Sequence, residues 1–234
     1  MPLQATTRPI QPPPVAVPPA GTPDPTFDLD ALDVAPLQRE PYDWLLVPGF
    51  VRPDALAAIN ADYPSIAGPT AFMVEELEHG PAFAAMLDRL RSDDLARRIS
   101  AKFGLDVAGL PRTVSVRRFA EPSDGAIHTD SKTKVITVLL YFNRTWTEPG
   151  GRLRVLRSGT DLDDYAAEVE PAGGTLFAFR RAENSWHGFV PCAGERRSLQ
   201  MQYARPKRAE RGPIHKASLR KHLKRLKRLL KSFR

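Results

Sequence analysis

The second half of the chain consists of short segments with the composition of strands, and this pattern limits the fold more than any other feature. About seven such segments follow Pro111, and turns rich in Gly and Pro separate them. Many short strands at this spacing are typical of a β-sandwich or a jelly roll. We place them near residues 112–120, 134–143, 151–157, 166–170, 173–180, 187–191 and 195–203.

Helical patterns occupy the region before these strands. Pro53 and Asp54 begin the first pattern, and proline suits the first turn of a helix. Two further stretches each carry apolar residues on one helical face, namely Phe83, Met86, Leu87 and Leu90, and then Leu95, Ile99 and Phe103. Helices followed by strands predict an α+β fold in which the helices cover one sheet.

A proline-rich segment precedes the predicted domain. Residues 1–25 contain nine prolines and too little apolar bulk to fold alone. We therefore predict that residues 1–40 are disordered and that one domain spans residues 41–204. Within this domain, helical support is expected over residues 52–104 and the strand core over residues 112–204.

Residues 205–234, which we call the basic tail, carry most of the positive charge. They contain 13 Lys or Arg and one Glu, a net charge of +12, although the whole chain carries only +7. The preceding residues therefore sum to −5. Apolar residues of the tail fall on one helical face, which predicts a basic amphipathic helix. Docking on the domain, binding to an anionic membrane and contact with nucleic acid all remain open.

Several classes of protein are excluded by composition. The sequence has no run of about 18 apolar residues, the length that a membrane-spanning helix needs. Its start lacks the pattern of a secretory signal. A single cysteine, Cys192, excludes an intramolecular disulfide and a Cys-rich zinc site. We therefore expect a cytoplasmic protein.

His128 and Asp130 form the pattern that most suggests chemistry. They flank one residue just before the strongest strand pattern, and residues i and i+2 of extended backbone point to the same side. A second imidazole, that of His187, begins a later strand. Two His and one carboxylate suit non-haem Fe(II) with open coordination positions. An isolated His-X-Asp pattern is common, however, so spacing alone leaves the function open.

A longer series of motifs resembles a known family. In chain order the motifs are His128-Thr-Asp130, the run from Val135 to Asn143, Trp146, the run from Gly150 to Val155, Glu170-Pro171, the run from Thr175 to Phe179, His187, and Arg196-Arg-Ser-Leu. Over about residues 112–204 they resemble the catalytic core of the prolyl-hydroxylase-like 2-oxoglutarate/iron(II) oxygenases. The resemblance implies a double-stranded β-helix, which is a distorted jelly roll, with supporting N-terminal helices.

The resemblance also implies a metal and its ligands. His128, Asp130 and His187 would bind Fe(II) and form the catalytic centre, and 2-oxoglutarate and O₂ would be the other cofactors. Ascorbate is a candidate reductant. The implied activity is hydroxylation of an unactivated C–H bond in a small-molecule or peptidyl substrate, with release of succinate and CO₂.

Two further residues are implied to bind the cosubstrate. A guanidinium forms bidentate, charge-assisted hydrogen bonds with a carboxylate, and Arg196 matches the position of the family's basic residue. Alternation along the strand agrees, because Arg196 shares a polar face with Ser198. A shift of one residue would give the role to Arg197. The hydroxyl of Tyr141 would assist the same carboxylate.

A second class of function remains open. The chain could be a non-catalytic jelly-roll module that acts on nucleic acid or an anionic membrane through its basic tail. The combination of a complete ligand triad with a carboxylate-binding arginine favours the enzyme, because a binding module needs neither. Asn143 and Trp146 are interpreted as structural residues, and Gly150 and Gly151 as turn residues without a chemical role.

Overall fold

The structure of the chain, a computed structural model, describes residues 24–206. Within them the helices are α1 (Leu29–Val34), α2 (Pro53–Ala61), α3 (Pro81–Leu90) and α4 (Asp93–Phe103). The strands are β1 (Trp44–Val47), β2 (Phe72–Met73), β3 (Arg112–Ala120), β4 (Lys134–Tyr141), β5 (Leu153–Leu156), β6 (Tyr165–Val169), β7 (Leu176–Arg180), β8 (His187–Gly188) and β9 (Gly194–Ala204). None of these helices is long and apolar enough to cross a bilayer.

The strands form two antiparallel sheets. The larger has six strands in the order β1-β7-β4-β9-β3-β2, and the smaller has three in the order β6-β5-β8. Strands far apart in sequence are neighbours in both sheets, as in a jelly roll. The predicted α+β class with a jelly-roll core and supporting helices is therefore confirmed.

One face of the larger sheet, the helix face, packs against the helices. Val138 and Leu140 of β4 join a core cluster with Phe83 of α3 and Ile99 of α4. Helix α4 is well delimited, because the hydroxyl of its N-cap Ser92 accepts a hydrogen bond from a backbone amide and a glycine with positive φ ends it. The prediction that helices cover one sheet is confirmed.

The opposite face, the site face, looks toward the smaller sheet. Because side chains alternate along a strand, β4 presents Thr137, Leu139 and Tyr141 on this face. Tyr141 forms a second apolar cluster with residues of both sheets, among them Leu153 of β5 and Phe177 of β7. The space between the two sheets is therefore partly apolar, and the polar residues described below surround it.

The predicted N-terminal boundary at residue 40 is wrong. Phe27 is 1% exposed and Leu32 of α1 is fully buried, and both belong to the main core cluster. The buried carboxylate of Asp24 accepts hydrogen bonds from Arg89 of α3. The many prolines before residue 26 led to the prediction of disorder for the whole region up to residue 40. The apolar side chains of residues 27–35 are nevertheless sufficient to attach this segment to the core. The rest of the predicted disordered segment, residues 1–23, lies outside the described residues, as does the tail from residue 207 onward.

Several strands also differ in length from the prediction, among them β7 and β8. Strand β7 begins at Leu176 rather than at residue 173, because Gly173 and Gly174 form a turn. Strand β8 has two residues instead of five. Its pairing with β5 ends at Gly188, because the next amide, that of Phe189, donates to the carbonyl oxygen of Gly125 instead.

Candidate metal centre

His128, Asp130 and His187 lie together at one end of the space between the sheets. Each offers one ligand atom, and the three atoms are within 4.8 Å of one another. Asp130 and His187 are each 4% exposed, whereas His128 is exposed. The structure thus brings together the three residues predicted from the sequence as metal ligands, with one side open to solvent.

The backbone joins two of these residues directly. His128 and His187 form an isolated antiparallel bridge in which each amide donates to the carbonyl oxygen of the other residue, both at 3.0 Å. The centroids of the two imidazole rings are 4.3 Å apart. The bridge fixes the backbone positions from which the two rings project.

Hydrogen bonds also orient the two imidazoles. Nδ1 of His128 lies 2.9 Å from the carbonyl oxygen of Ala126, and Nδ1 of His187 lies 3.0 Å from that of Ser185. A carbonyl oxygen only accepts, so Nδ1 carries the proton and the lone pair of Nε2 remains for a metal. Burial and the neighbouring His128 lower the pKa of His187 to about 4. The neutral imidazole that metal binding requires is therefore present at neutral pH.

Two donors hold the carboxylate of Asp130. Its Oδ1 accepts from Nζ of Lys134 at 2.7 Å, and its Oδ2 accepts from the hydroxyl of Thr137. Burial acts to raise the pKa of Asp130, but these hydrogen bonds outweigh it and the pKa is lowered. The carboxylate is thus ionised, as a metal ligand must be. Neither Lys134 nor Thr137 was predicted from the sequence as a site residue. The only signal in the sequence was that Thr137 lies on the same side of its strand as Tyr141.

A cavity of about 370 Å³ begins at His128 and His187 and extends between the sheets. Its wall on the larger sheet comes from β3, β4 and β9, and a loop over residues 123–126 forms part of the other side. Arg117 of β3 lines the cavity and forms an ion pair with Asp124 of that loop. The cavity therefore combines a candidate metal centre with a wall that contains both polar and apolar residues.

Arg196 lies in the same cavity as a buried cation. It is 5% exposed, and its Nε donates to the carbonyl oxygen of Gly151 at 2.9 Å. Its Cζ is 4.5 Å from the ring centroid of Phe189 and 5.2 Å from that of Tyr141. Among the described residues no carboxylate forms an ion pair with it. A buried charge of this kind normally has a partner, so the surroundings of Arg196 fit a ligand carboxylate.

Tyr141 supplies a second donor without a partner. Its side chain is fully buried and lines the cavity, and within the described part of the chain its hydroxyl proton has no acceptor. Burial raises the pKa of Tyr141, and the charge of Arg196 and the approach of its guanidinium to the hydroxyl oxygen only partly oppose this, so the hydroxyl stays protonated. A buried unsatisfied hydroxyl is costly. Beside Arg196, it fits the far carboxylate of 2-oxoglutarate.

Arg197 points elsewhere. Its guanidinium donates to the side chain of Asn60 at 3.0 Å and to Glu195 at 2.8 Å, and its Cζ is 5.2 Å from the ring centroid of Tyr63. These partners lie on the helix side of the sheet or at its edge, and Arg197 does not line the cavity of the candidate metal centre. Of the two arginines considered from the sequence, the structure brings only Arg196 to the cavity.

The glycine pair at residues 150–151 does more than form a turn. The carbonyl oxygen of Gly151 holds Arg196, and Gly151 has a φ of +81°. A Cβ added to Gly151 would lie 2.4 Å from the ring of Trp146, whose Nε1 donates to the carbonyl oxygen of Gly150. Trp146 thus keeps its predicted structural role, and the glycines help to place the cation. Sequence reasoning missed this contribution.

Comparison with known proteins adds to this geometry. Residues 115–204 match the family model described as the 2OG-Fe(II) oxygenase superfamily. No curated protein matches the chain significantly. The matched residues include all three candidate ligands, Tyr141 and Arg196.

Two solved structures are similar in fold. One is a prolyl-4-hydroxylase from Pseudomonas putida, 22% identical, with a TM-score of 0.50, over 76% of this chain and 97% of that chain. The other is a prolyl 4-hydroxylase structure from Phytophthora capsici, 17% identical, with a TM-score of 0.51, over 92% of this chain and 78% of that chain. At such identities the similarity shows a shared fold and nothing finer.

Proposed function

We propose that this chain, which belongs to the 2OG-Fe(II) oxygenase superfamily through its residues 115–204, hydroxylates an unactivated C–H bond at the His128–Asp130–His187 centre. The family uses Fe(II), 2-oxoglutarate and O₂. Under this proposal 2-oxoglutarate is converted to succinate and CO₂ as the substrate receives one oxygen atom.

The observation that carries the proposal is the pairing of two incomplete sites in one cavity. At one end, two imidazoles with free Nε2 atoms and an ionised carboxylate converge. At the other, the buried Arg196 lacks an anion and the hydroxyl of Tyr141 lacks an acceptor within the described residues. A molecule that chelates a metal at one end and carries a carboxylate at the other completes both.

Different residues would bind the metal and the cosubstrate. Nε2 of His128, Nε2 of His187 and a carboxylate oxygen of Asp130 would hold Fe(II). The bound metal would supply the oxidising chemistry, with 2-oxoglutarate as the source of electrons. Arg196 and Tyr141 would anchor the far carboxylate of 2-oxoglutarate and so fix its orientation.

Apolar residues would keep water from the inner part of the cavity. Leu139, Leu153 and Phe189 line it near Tyr141 and Arg196. In such surroundings the charge-assisted hydrogen bonds of Arg196 are stronger than they would be in water. The protein would thus contribute binding, orientation and a shielded site.

The substrate would enter from the exposed side of His128. Ser115, Arg117 and Gln200 also line the cavity, so a group that forms hydrogen bonds would be accommodated. Small-molecule and peptidyl substrates both fit this description. Because two solved structures that share the fold are prolyl hydroxylases, proline-containing peptides belong among the candidates.

Mass spectrometry of candidate substrates incubated with Fe(II), 2-oxoglutarate, O₂ and ascorbate tests the proposal. A product heavier by one oxygen atom, formed together with succinate, is the expected result, and His187→Ala should form neither. If Fe(II) and 2-oxoglutarate bind but no substrate in a broad panel of peptides and metabolites is oxidised, the non-catalytic alternative gains support.

A further inference from the structure

Thr137 is a polar residue in the middle of a buried strand. Its exposed fraction is 0%, and on the site face it lies between Phe179 of β7 and Gln202 of β9, its partners in the sheet register. A buried hydroxyl costs free energy unless it forms a hydrogen bond. Valine has almost the same shape and would avoid this cost. The presence of a hydroxyl at this position therefore indicates a specific hydrogen-bonding role.

This hydrogen-bonding role involves the carboxylate of Asp130. Among the described residues, the hydroxyl of Thr137 has Oδ2 of Asp130 as its hydrogen-bond partner, and the other oxygen, Oδ1, accepts from Lys134. The terminal torsion of an aspartate is soft, so a carboxylate without fixed donors adopts a broad range of orientations. Two donors on opposite oxygens remove that freedom.

The two donors differ in rigidity. Lys134 reaches Asp130 through a flexible four-carbon stem, and its side chain is 23% exposed. Thr137 is β-branched, so its first side-chain torsion is restricted, and it is held in the central part of the larger sheet. Thr137 is therefore the donor that relates the Asp130 carboxylate to the sheet.

The two imidazoles are held differently. Each has its own backbone acceptor two residues earlier, and the bridge between His128 and His187 joins them. The side chain of Asp130 depends on donors from the following strand. Strand β4 carries Thr137 and, on the same face four residues later, Tyr141. Strand β4 thus carries both the residue that donates to a candidate metal ligand and a residue that would bind the cosubstrate.

We propose that Thr137 is a positioning residue of the metal centre, which fixes the orientation of the Asp130 carboxylate for metal binding. The inference rests on the proposed function, because it requires that Asp130 binds the metal. Hydrogen-bond partners of metal ligands typically contribute 10–100-fold to metal affinity. We therefore expect Thr137→Val to weaken Mn(II) and anaerobic Fe(II) binding by roughly 10–100-fold.

Isothermal titration with Mn(II), and with Fe(II) under anaerobic conditions, measures this effect on purified full-length protein. Thr137→Ser keeps the hydroxyl and should bind both metals within about threefold of the wild type, well below the 10–100-fold loss expected when the hydroxyl is removed. Thr175→Val, at a second buried threonine, is the matched control and should leave metal affinity unchanged. The visible absorption of the Co(II)-loaded protein should change in Thr137→Val and not in Thr137→Ser.

The outcomes separate the two proposals. If the wild type binds none of these metals at the triad, the proposed function itself fails. If the wild type binds metal and Thr137→Val binds it equally well, only the role of Thr137 is wrong. The same conclusion follows if Thr137→Ser loses as much affinity as Thr137→Val. Should Thr137→Val fail to fold, as a thermal melt of the metal-free protein would reveal, Thr137→Ala replaces it in the comparison.

Discussion

His128 and His187 exchange two backbone hydrogen bonds of 3.0 Å across an isolated bridge, although a large part of the strand domain separates them in sequence. The bridge sets the distance between the imidazoles through the backbone, and the Nδ1 hydrogen bonds then set the direction of each ring. Hydrogen bonds within the protein therefore hold two of the three candidate ligands in place. Such preorganisation is what a binding constellation requires.

Replacing Arg196 by alanine should weaken 2-oxoglutarate binding by about 2–4 kcal/mol, because the ligand carboxylate would lose its charge-assisted partner in a buried site. Titration of the Fe(II)-loaded protein with 2-oxoglutarate under anaerobic conditions measures this loss. Arg197→Ala is the matched control, since Arg197 binds Asn60 and Glu195 away from the cavity. A larger loss for Arg197→Ala than for Arg196→Ala would show that the assignment is shifted by one residue.

Tyr141→Phe should separate ligand binding from stability. The unpartnered hydroxyl costs free energy in the ligand-free protein, so its removal should leave the melting temperature unchanged or slightly raised. Affinity for 2-oxoglutarate should fall by about 1.5–3 kcal/mol, the range for a hydrogen bond to a charged group. Thermal melts and the same titration measure the two effects.

Tyr203→Phe provides the control for this prediction. Tyr203 also has a buried hydroxyl without a partner in the described residues, but it belongs to the core on the helix face. Its replacement should not change the affinity for 2-oxoglutarate. Equal affinity in the wild type and in Tyr141→Phe would remove Tyr141 from the cosubstrate site.

The N-terminal segment should contribute to stability. Leu32 of α1 is fully buried in the main core, so Leu32→Ala should destabilise the protein by about 2–5 kcal/mol. Val34→Ala, in the same helix, is the control because Val34 is 81% exposed. Urea denaturation of both variants measures the difference. Equal midpoints would mean that residues 24–40 are as dispensable as the proline content suggested.

The basic tail should be dispensable for chemistry but not for location. We propose that it binds an anionic surface, because the tail has a net charge of +12 and the preceding residues have −5. A chain that ends at Arg205 should keep succinate production and lose salt-sensitive binding to anionic vesicles or RNA, since salt screens such attraction beyond about 8–10 Å. If truncation instead lowers the melting temperature and leaves this binding unchanged, the tail docks on the domain.

Local patterns allowed much of the fold to be predicted. Strand β3 lies at residues 112–120 as expected, because its apolar residues alternate and turn residues bound it. On β9, the apolar face of Leu199 and Met201 does pack in the core under the helices, while Arg196 and Ser198 line the cavity. A period of two residues is sufficient for such assignments when one face is buried.

The rest depended on long-range contacts that no local pattern contains. The hydrogen bond from Nε of Arg196 on β9 to the carbonyl oxygen of Gly151 joins a strand and a turn that are far apart in sequence, so neither Gly150 nor Gly151 signalled a role at the site. The N-terminal boundary was missed for a related reason. Composition averages over a window, whereas burial of Phe27 depends on its stacking with Phe50 in the folded state.

Binding of 2-oxoglutarate in the presence and absence of Fe(II), followed anaerobically by calorimetry, is the decisive test of the proposed site. We expect about one equivalent of Fe(II) per chain and 2-oxoglutarate binding that is strong only with the metal bound. Both should be lost in His187→Ala. Fe(II) binding that persists unchanged in His187→Ala, or 2-oxoglutarate binding that is indifferent to Fe(II), would contradict the assignment of the site.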